Sequence, residues 1–250
     1  MPAAAGVDII EYLWEIIERR IIMLMKKSKA VTYLIKGSEK RFIEELLYEG
    51  KVCLNTFGFF ADCETKNEAI DDKTEGLWMK SGYIQFPPAT DYIRVENVRH
   101  TGHLFCATGY SDSVFHKGGS YRYTYPIDMR KHFEELLLIW NPKEFCSRLI
   151  TAAKKKNLRY RCEWVKYDIT SEKQFRSGEL YDPFHKQEHL KWEQEYRFVF
   201  YGYPEAKREF LYLGSLEDIA CIFKEDKRYD LVNISDDKYD VICSDSVVSQ

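Results

Sequence analysis

The apolar positions near the start of the chain recur with helical spacing. Between Val7 and Met25, apolar side chains follow one another three or four positions apart and are interrupted by charged ones. This pattern predicts an amphipathic helix within residues 1–29, packed on the core or on a partner protein. The charges exclude a membrane span, and the acidic residues argue against a signal peptide.

From residue 30 onward the pattern predicts strands and helices in mixed order. A strand at 30–35, a helix at 39–48 and a strand at 51–57 come first, with Ser38 as the N-cap of the helix and Gly50 at its end. The later predictions are short strands within 77–125, helices over 127–138 and 142–155, and strands near 158–169, 191–202, 209–213 and 219–224. We interpret residues 30–225 as one α+β domain with mixed or antiparallel sheets flanked by helices. A C-terminal tail follows over 226–250, and its final dozen residues are predicted to be frayed.

Composition narrows the functional classes. The chain is 45% apolar and 15% aromatic, which is enough to bury a substantial core. Its net charge of −3 lacks the basic footprint of a nucleic-acid binder, so nucleic acid is expected only as a target of modification. The seven cysteines show no zinc-site spacing and favour a reducing, cytoplasmic compartment.

The aromatic segment 190–201 carries the most informative group of charges. It is predicted to be a strand, and side chains two positions apart on a strand share one face. Glu193, Glu195 and Arg197 would therefore line up as acid, acid and base. One interpretation is a site where Arg197 orients the carboxylates and one of them meets a substrate hydroxyl or a developing positive charge. The other, commoner one is a solvated ladder of salt bridges.

Three further features are weaker candidates. Gly37 follows Lys36 at a predicted strand-to-helix turn, which would either face a phosphate at the helix N-terminus or form an ordinary tight turn. His185 and His189 lie four positions apart, but the sequence offers no third ligand, and no metal site is predicted. Cys106 has no His/acid pair beside it and is interpreted as a core cysteine.

Several segments together resemble the DUF2971-type accessory proteins of bacteria and phages. The early acidic motif corresponds to 54–64 and 70–76, the aromatic E-x-E-x-R motif to 190–197, and the closing turn and strand to 216–223. The resemblance covers roughly residues 30–225. Leu190 stands where that motif usually has a tryptophan, and Lys224 replaces the usual glycine after the last strand. A role in conflict between bacteria and phages, as a toxin or antiviral defence protein, is what this resemblance implies.

A more distant resemblance is to ADP-ribosyltransferases, in the order of the segments 33–37, 108–111 and 193–195. It implies an ADP-ribosyltransferase-like core and NAD as cofactor. Glu195 would stabilise an oxocarbenium-like centre, and Glu193 would orient or activate the acceptor. Arg197 completes the implied catalytic set. The implied cofactor-binding residues are Tyr33, Lys36, Gly37, Tyr110 and Ser111, with Lys36 and Gly37 at the NAD phosphates.

Three hypotheses of function follow. The first is a cytoplasmic ADP-ribosyltransferase or NAD glycohydrolase, which acts on a small-molecule nucleotide. The second is a non-catalytic binding or sensor subunit, in which the charged row is structural and the N-terminal helix docks a protein partner. The third is a metal-dependent hydrolase, whose acidic side chains would be Asp62, Glu64, Asp72, Glu75, Glu193 and Glu195.

Overall fold

The computed structural model describes residues 31–62, 75–84, 93–111, 120–123, 127–169, 182–203, 208–235 and 238–245. The strands are β1 (Val31–Ser38), β2 (Lys51–Thr56), β3 (Leu77–Ile84), β4 (Ile93–Arg99), β5 (His103–Ser111), β6 (Ser120–Tyr123), β7 (Glu135–Ile139), β8 (Arg159–Trp164), β9 (Lys166–Ile169), β10 (His185–Gln187), β11 (Glu195–Tyr201), β12 (Glu209–Tyr212), β13 (Ala220–Ile222), β14 (Lys227–Ser235) and β15 (Lys238–Asp245). The helices are α1 (Lys40–Glu49), α2 (Phe57–Asp62), α3 (Ile127–Arg130) and α4 (Pro142–Lys155), with a 3₁₀ helix at Glu188–Glu193. The predicted N-terminal helix lies outside the described residues. Within those ranges no helix combines the length and the apolar character that crossing a membrane requires.

Eight strands form the main sheet. Six follow the order β12-β2-β5-β1-β7-β13, while β11 pairs with the other edge of β5 and β8 pairs with β11. Each of these pairings is antiparallel. Smaller sheets join β3 to β4, β14 to β15 and β6, and β9 to β10, the last pair being parallel. The predicted α+β class, with mostly antiparallel sheet and few helices, is confirmed.

One edge of β5 is shared by two strands that diverge. β1 pairs with β5 from Ser111 as far as Thr108, and β2 pairs with it at Leu104 and His103. Residues 105–107 of β5 lie between these two pairings, whereas β11 pairs with the opposite edge without a break from Thr108 to His103. The sheet is therefore forked at this point, and the fork leaves room for a cavity.

Two amphipathic helices cover the apolar face of the sheet. Ile43, Leu46 and Leu47 of α1 and the apolar row of α4 are buried against the strands in the largest hydrophobic cluster. The prediction of a helix over 142–155 is confirmed, with the Asn141 side chain accepting a hydrogen bond from the N–H of Glu144 at 3.1 Å. Helix α1 ends at Gly50, as predicted, in the left-handed conformation (φ 62°).

Several boundaries differ from the predictions. Ser38 is the last residue of β1, and Glu39 occupies the N-cap position of α1. Most of the predicted helix over 127–138 is not helical, because α3 spans four residues and the chain then forms β7. In the predicted C-terminal tail over 226–250, the structure has the antiparallel pair β14 and β15, with β6 beside β14. β15 extends to Asp245, into the final dozen residues that are predicted to be frayed.

Candidate functional site

The E-x-E-x-R segment is bent rather than continuously extended. Glu193 ends the 3₁₀ helix, Gln194 has a left-handed backbone (φ 45°), and Glu195 begins β11. The hydroxyl of Thr108 donates to the carbonyl of Glu193 at 2.8 Å, and the N–H of Gly109 donates to that of Gln194 at 2.8 Å. The prediction that 191–202 is one strand is therefore wrong at its start. Strand alternation applies to Glu195 and Arg197, but not to Glu193.

Arg197 lies at the centre of a buried network of charges. It is 0% exposed, and its two terminal nitrogens donate to the carboxylate of Glu75 at 2.8 and 2.9 Å. One nitrogen also donates to Glu195 at 2.6 Å, and the other donates to the carbonyl of Pro183 at 2.6 Å. A two-pronged pair of this kind fixes both the position and the orientation of the carboxylate. The interpretation as a solvated ladder is wrong, because the row is buried.

Lys186 completes this network. Its ammonium group lies 2.6 Å from Glu193, 3.5 Å from Glu195 and 3.8 Å from Glu75. We call the five residues Glu75, Lys186, Glu193, Glu195 and Arg197 the buried ion cluster. Charges taken out of water are tolerated only when opposite charges and hydrogen bonds compensate them, and here two cations face three carboxylates.

The pKa values of the two carboxyl groups of the E-x-E segment are shifted in opposite directions. Burial, reinforced by the charge of Glu195, raises the pKa of Glu193 to about 8. Burial acts in the same sense on Glu195, but the charges of Arg197 and Lys186 outweigh it and lower the pKa of that carboxyl to about 2. Near neutral pH, Glu195 is thus ionised while Glu193 holds a proton much of the time. Burial disfavours the charged form of Lys186, yet its three carboxylate neighbours hold its pKa well above the usual value.

A cavity of about 380 Å³ opens at the fork of the sheet and reaches this cluster. Glu75, Lys186, Glu193 and Glu195 line it, together with residues of β1, β2, β5 and α1. Oε1 of Glu193 is buried and, within the described part of the chain, has no hydrogen-bond partner. A buried acceptor left unsatisfied is costly. The cavity is the place from which a bound molecule would reach this oxygen.

Lys36 also lies at the fork. Its ammonium donates to the carbonyl of Cys106 at 2.8 Å, in the part of β5 that neither β1 nor β2 pairs, and it lies 5.0 Å from the ring centre of Phe105. Burial lowers the pKa of Lys36, although the Cys106 thiol and the carboxylate of Glu195 oppose that shift. Lys36 lines the cavity, beside the space in which an anionic ligand would lie.

The remaining predicted cofactor residues have separate positions. Gly37 lines the cavity, but it belongs to β1 rather than to a turn, and an added Cβ would lie 2.3 Å from the ring of Phe133. Tyr33 and Tyr110 stack on each other, with ring centres 4.2 Å apart. These two tyrosines and Ser111 are not among the residues that line the cavity. The structure brings together Lys36, Gly37, Glu193 and Glu195, with Arg197 behind the last.

The features considered for metal binding do not form a metal site within the described residues. His185 lies on β10 and contacts Asp168 at 2.7 Å, while His189 lies in the 3₁₀ helix, so the two do not form a helical pair. Asp62 ends α2, and Glu64 and Asp72 lie outside the described residues. Across the described ranges, no three His, Cys, Asp or Glu side chains are arranged to hold a metal ion.

Two members of the buried ion cluster carry little signal in the sequence. Lys186 was missed, because it lies in a short strand flanked by polar residues and nothing local marks it as buried. The sequence predicts Glu75 only as part of the early acidic motif and as a metal ligand, whereas it pairs with Arg197 across 122 residues of sequence. Cys106, interpreted as a core cysteine, is half-buried and lines the cavity. Burial raises the pKa of its thiol far above the usual value, which disfavours the reactive thiolate.

Comparisons of the chain with models of protein families, with curated proteins and with solved structures gave no significant match. The resemblances to DUF2971-type proteins and to ADP-ribosyltransferases therefore stay predictions.

Proposed function

We propose that the cavity binds a nicotinamide nucleotide such as NAD, and that the protein cleaves the bond between nicotinamide and ribose. The observation that carries this proposal is the pair of neighbouring carboxylates with opposite pKa shifts, Glu193 raised to about 8 and Glu195 lowered to about 2. Titratable neighbours whose environments separate their pKa values are typical of acid–base assignments in enzymes. Both carboxylates line the same cavity.

In the proposed reaction, Glu195 would face the carbon at which positive charge develops. As the glycosidic bond breaks, its electron pair leaves with nicotinamide and an oxocarbenium-like centre develops at the ribose carbon. The ionised Glu195 carboxylate would stabilise this centre and hydrogen-bond a ribose hydroxyl. Arg197 donates to Glu195 at 2.6 Å and acts as a positioning residue, since it is fully buried behind that carboxylate.

Glu193 would act on the acceptor. Water or the hydroxyl of an acceptor attacks the ribose carbon, and its proton passes to the Glu193 carboxylate in its ionised form. A base works best when its pKa is close to the working pH, and a pKa of about 8 meets this condition. Oε1 of Glu193, for which the described residues provide no hydrogen-bond partner, is the atom that would receive the proton.

Release of nicotinamide from NAD tests the proposal. We expect slow release by the wild-type protein and at least a hundredfold less by Glu195→Gln, since one electrostatic contact to the transition state is worth about 10²–10³ in rate. Glu163→Gln is the matched control, because Glu163 lies opposite Arg197 on β8 but pairs with Arg161 away from the cavity. Thermal unfolding establishes that each variant folds. No release by any form of the folded protein would refute the reaction.

A specific observation also supports the non-catalytic alternative. The pairing of Glu75 with both terminal nitrogens of Arg197 joins the segment before β3 to β11 and would serve as a structural brace. In that case the cavity binds a ligand without changing it. Binding of NAD by calorimetry, with no nicotinamide released by the wild type or by Glu193→Gln, would favour this function.

A further inference from the structure

An arginine at the mouth of the cavity has an unusual environment. Arg208 precedes β12, is exposed, and lines the cavity. Its Nε donates to the side-chain oxygen of Asn55 at 2.9 Å. Its guanidinium carbon lies 5.3 Å from the ring centre of Phe59 and 5.9 Å from that of Phe42. The side chain is therefore held in place by one hydrogen bond and two aromatic rings.

This arrangement leaves the binding end of Arg208 unused. Across the described residues, its two terminal nitrogens make no hydrogen bond or ion pair. A guanidinium fixed by its Nε and its flat face presents two parallel donors, the geometry that matches a phosphate. Because the side chain is already ordered, little conformational entropy is lost when an anion binds.

Three cations, Arg208 among them, act on the cavity wall at Cys53. Burial raises the pKa of the Cys53 thiol, and the charges of Arg208, Lys36 and Lys51 all oppose that shift. Cys53 lines the cavity, so the positive charge acts on the space where a ligand would lie. Glu45 lines the same part of the cavity, but Lys51 pairs with it at 2.8 Å and reduces its repulsion of an anion.

We infer that Arg208 is the phosphate-binding residue of this cavity, with Asn55, Phe42 and Phe59 as its positioning residues. The phosphate is that of the nucleotide whose nicotinamide–ribose end lies beside Glu193 and Glu195. The identity of this nucleotide rests on the proposed function, whereas recognition of the phosphate rests only on the surroundings of Arg208. The cavity would thus bind the anionic part of its ligand at the mouth and the reacting part at the buried ion cluster.

Binding of three probes to the full chain tests the inference by calorimetry. NAD and inorganic pyrophosphate carry phosphate, and nicotinamide riboside has the same reacting end without it. Arg208→Gln should weaken the binding of NAD and of pyrophosphate by about tenfold or more, because a charged hydrogen-bonded contact is lost. Its affinity for the riboside should equal that of the wild type. Arg208→Lys keeps the charge but loses the forked donors and the contact with Asn55, so we expect an intermediate loss.

The chain offers a matched control for this experiment. Arg41 also stacks on Phe42, with its guanidinium carbon 4.7 Å from the ring centre, but it does not line the cavity. Arg41→Gln should bind all three probes as the wild type does. Both positions are exposed, so neither substitution is expected to affect folding.

The outcomes separate this inference from the proposed function. An equal effect of Arg208→Gln on NAD and on the riboside, or no effect on either, overturns the inference even when nicotinamide is released. No binding of NAD or pyrophosphate to the wild type at millimolar concentration also overturns it. Arg208-dependent binding of NAD or pyrophosphate without nicotinamide release supports the phosphate site and refutes the reaction.

Discussion

Replacing Lys186 with methionine should destabilise the fold strongly. Lys186 is 3% exposed, and its ammonium contacts Glu193 at 2.6 Å and Glu195 at 3.5 Å. Methionine is of similar length but uncharged, so the three carboxylates of the buried ion cluster would face Arg197 alone. Removing one partner of a buried ion pair costs about 3–5 kcal/mol, and we expect a loss of this size in the free energy of unfolding.

The size of this loss should depend on pH. The positive charge of Lys186 lowers the pKa of Glu193, which burial raises to about 8, so without Lys186 the pKa rises further. When the pKa of a carboxyl is higher in the folded than in the unfolded protein, its contribution to stability is lost as the pH rises from the unfolded pKa to the folded pKa. The free energy of unfolding of the wild type therefore levels off above about pH 8, whereas that of the variant, whose Glu193 has the higher pKa, continues to fall. The difference between them should therefore be constant from about pH 5 to 7 and widen above about pH 8.

Urea unfolding followed by tryptophan fluorescence at about pH 6 and about pH 9 measures both effects. In the double variant Lys186→Met with Glu193→Gln, the widening should disappear, because the amide does not titrate. Lys51→Met is the control; it breaks the partly exposed contact with Glu45 (2.8 Å) and should change stability far less. A loss below about 1 kcal/mol for Lys186→Met, or one that does not vary with pH, would refute the reasoning.

Three further predictions concern neighbouring positions. Wild-type stability should fall between about pH 5 and 8, because the folded pKa of Glu193 is raised, and Glu193→Gln should flatten the curve; parallel curves would contradict this. Gly37→Ala places a Cβ 2.3 Å from the Phe133 ring and should cost about 1–3 kcal/mol in thermal unfolding, with partial recovery in Gly37→Ala/Phe133→Ala; an unchanged Tm for the single variant would count against it. Thr108→Val removes the 2.8 Å hydrogen bond to the Glu193 carbonyl and should cost about 0.5–1.5 kcal/mol of unfolding free energy. If the variant were as stable as the wild type, this hydrogen bond would not contribute to stability.

Local patterns in the sequence predict the elements that have one apolar and one polar face. Helix α4 has apolar positions at helical spacing, a capping asparagine and a proline in its first turn, and its bounds agree with the prediction. Most of β7 falls within the predicted helix over 127–138, and its residues 136–139 are apolar at every position. It lies between β1 and β13 and those four residues are buried, so the alternation that distinguishes a strand is missing.

The candidate site was predictable only as far as its local part. The E-x-E-x-R spacing predicts a site at Glu193, Glu195 and Arg197. No local sequence pattern predicts the left-handed backbone of Gln194, which interrupts the strand. Glu75 and Lys186 come from distant segments that meet Arg197 and the glutamates only in the folded chain. Their burial is a property of the tertiary fold, and the hydrophobic pattern of neither segment predicts it.

The pair of Glu75 and Arg197 has a consequence for the timing of biosynthesis. Arg197 is made 122 residues after Glu75, so at roughly 5–20 residues per second the glutamate exists for about 6–24 seconds before its partner. During that time it must stay hydrated, because an unpaired carboxylate is costly to bury. The buried ion cluster therefore cannot form on the nascent chain until β11 has left the ribosome, and a product that terminates earlier would carry no assembled site.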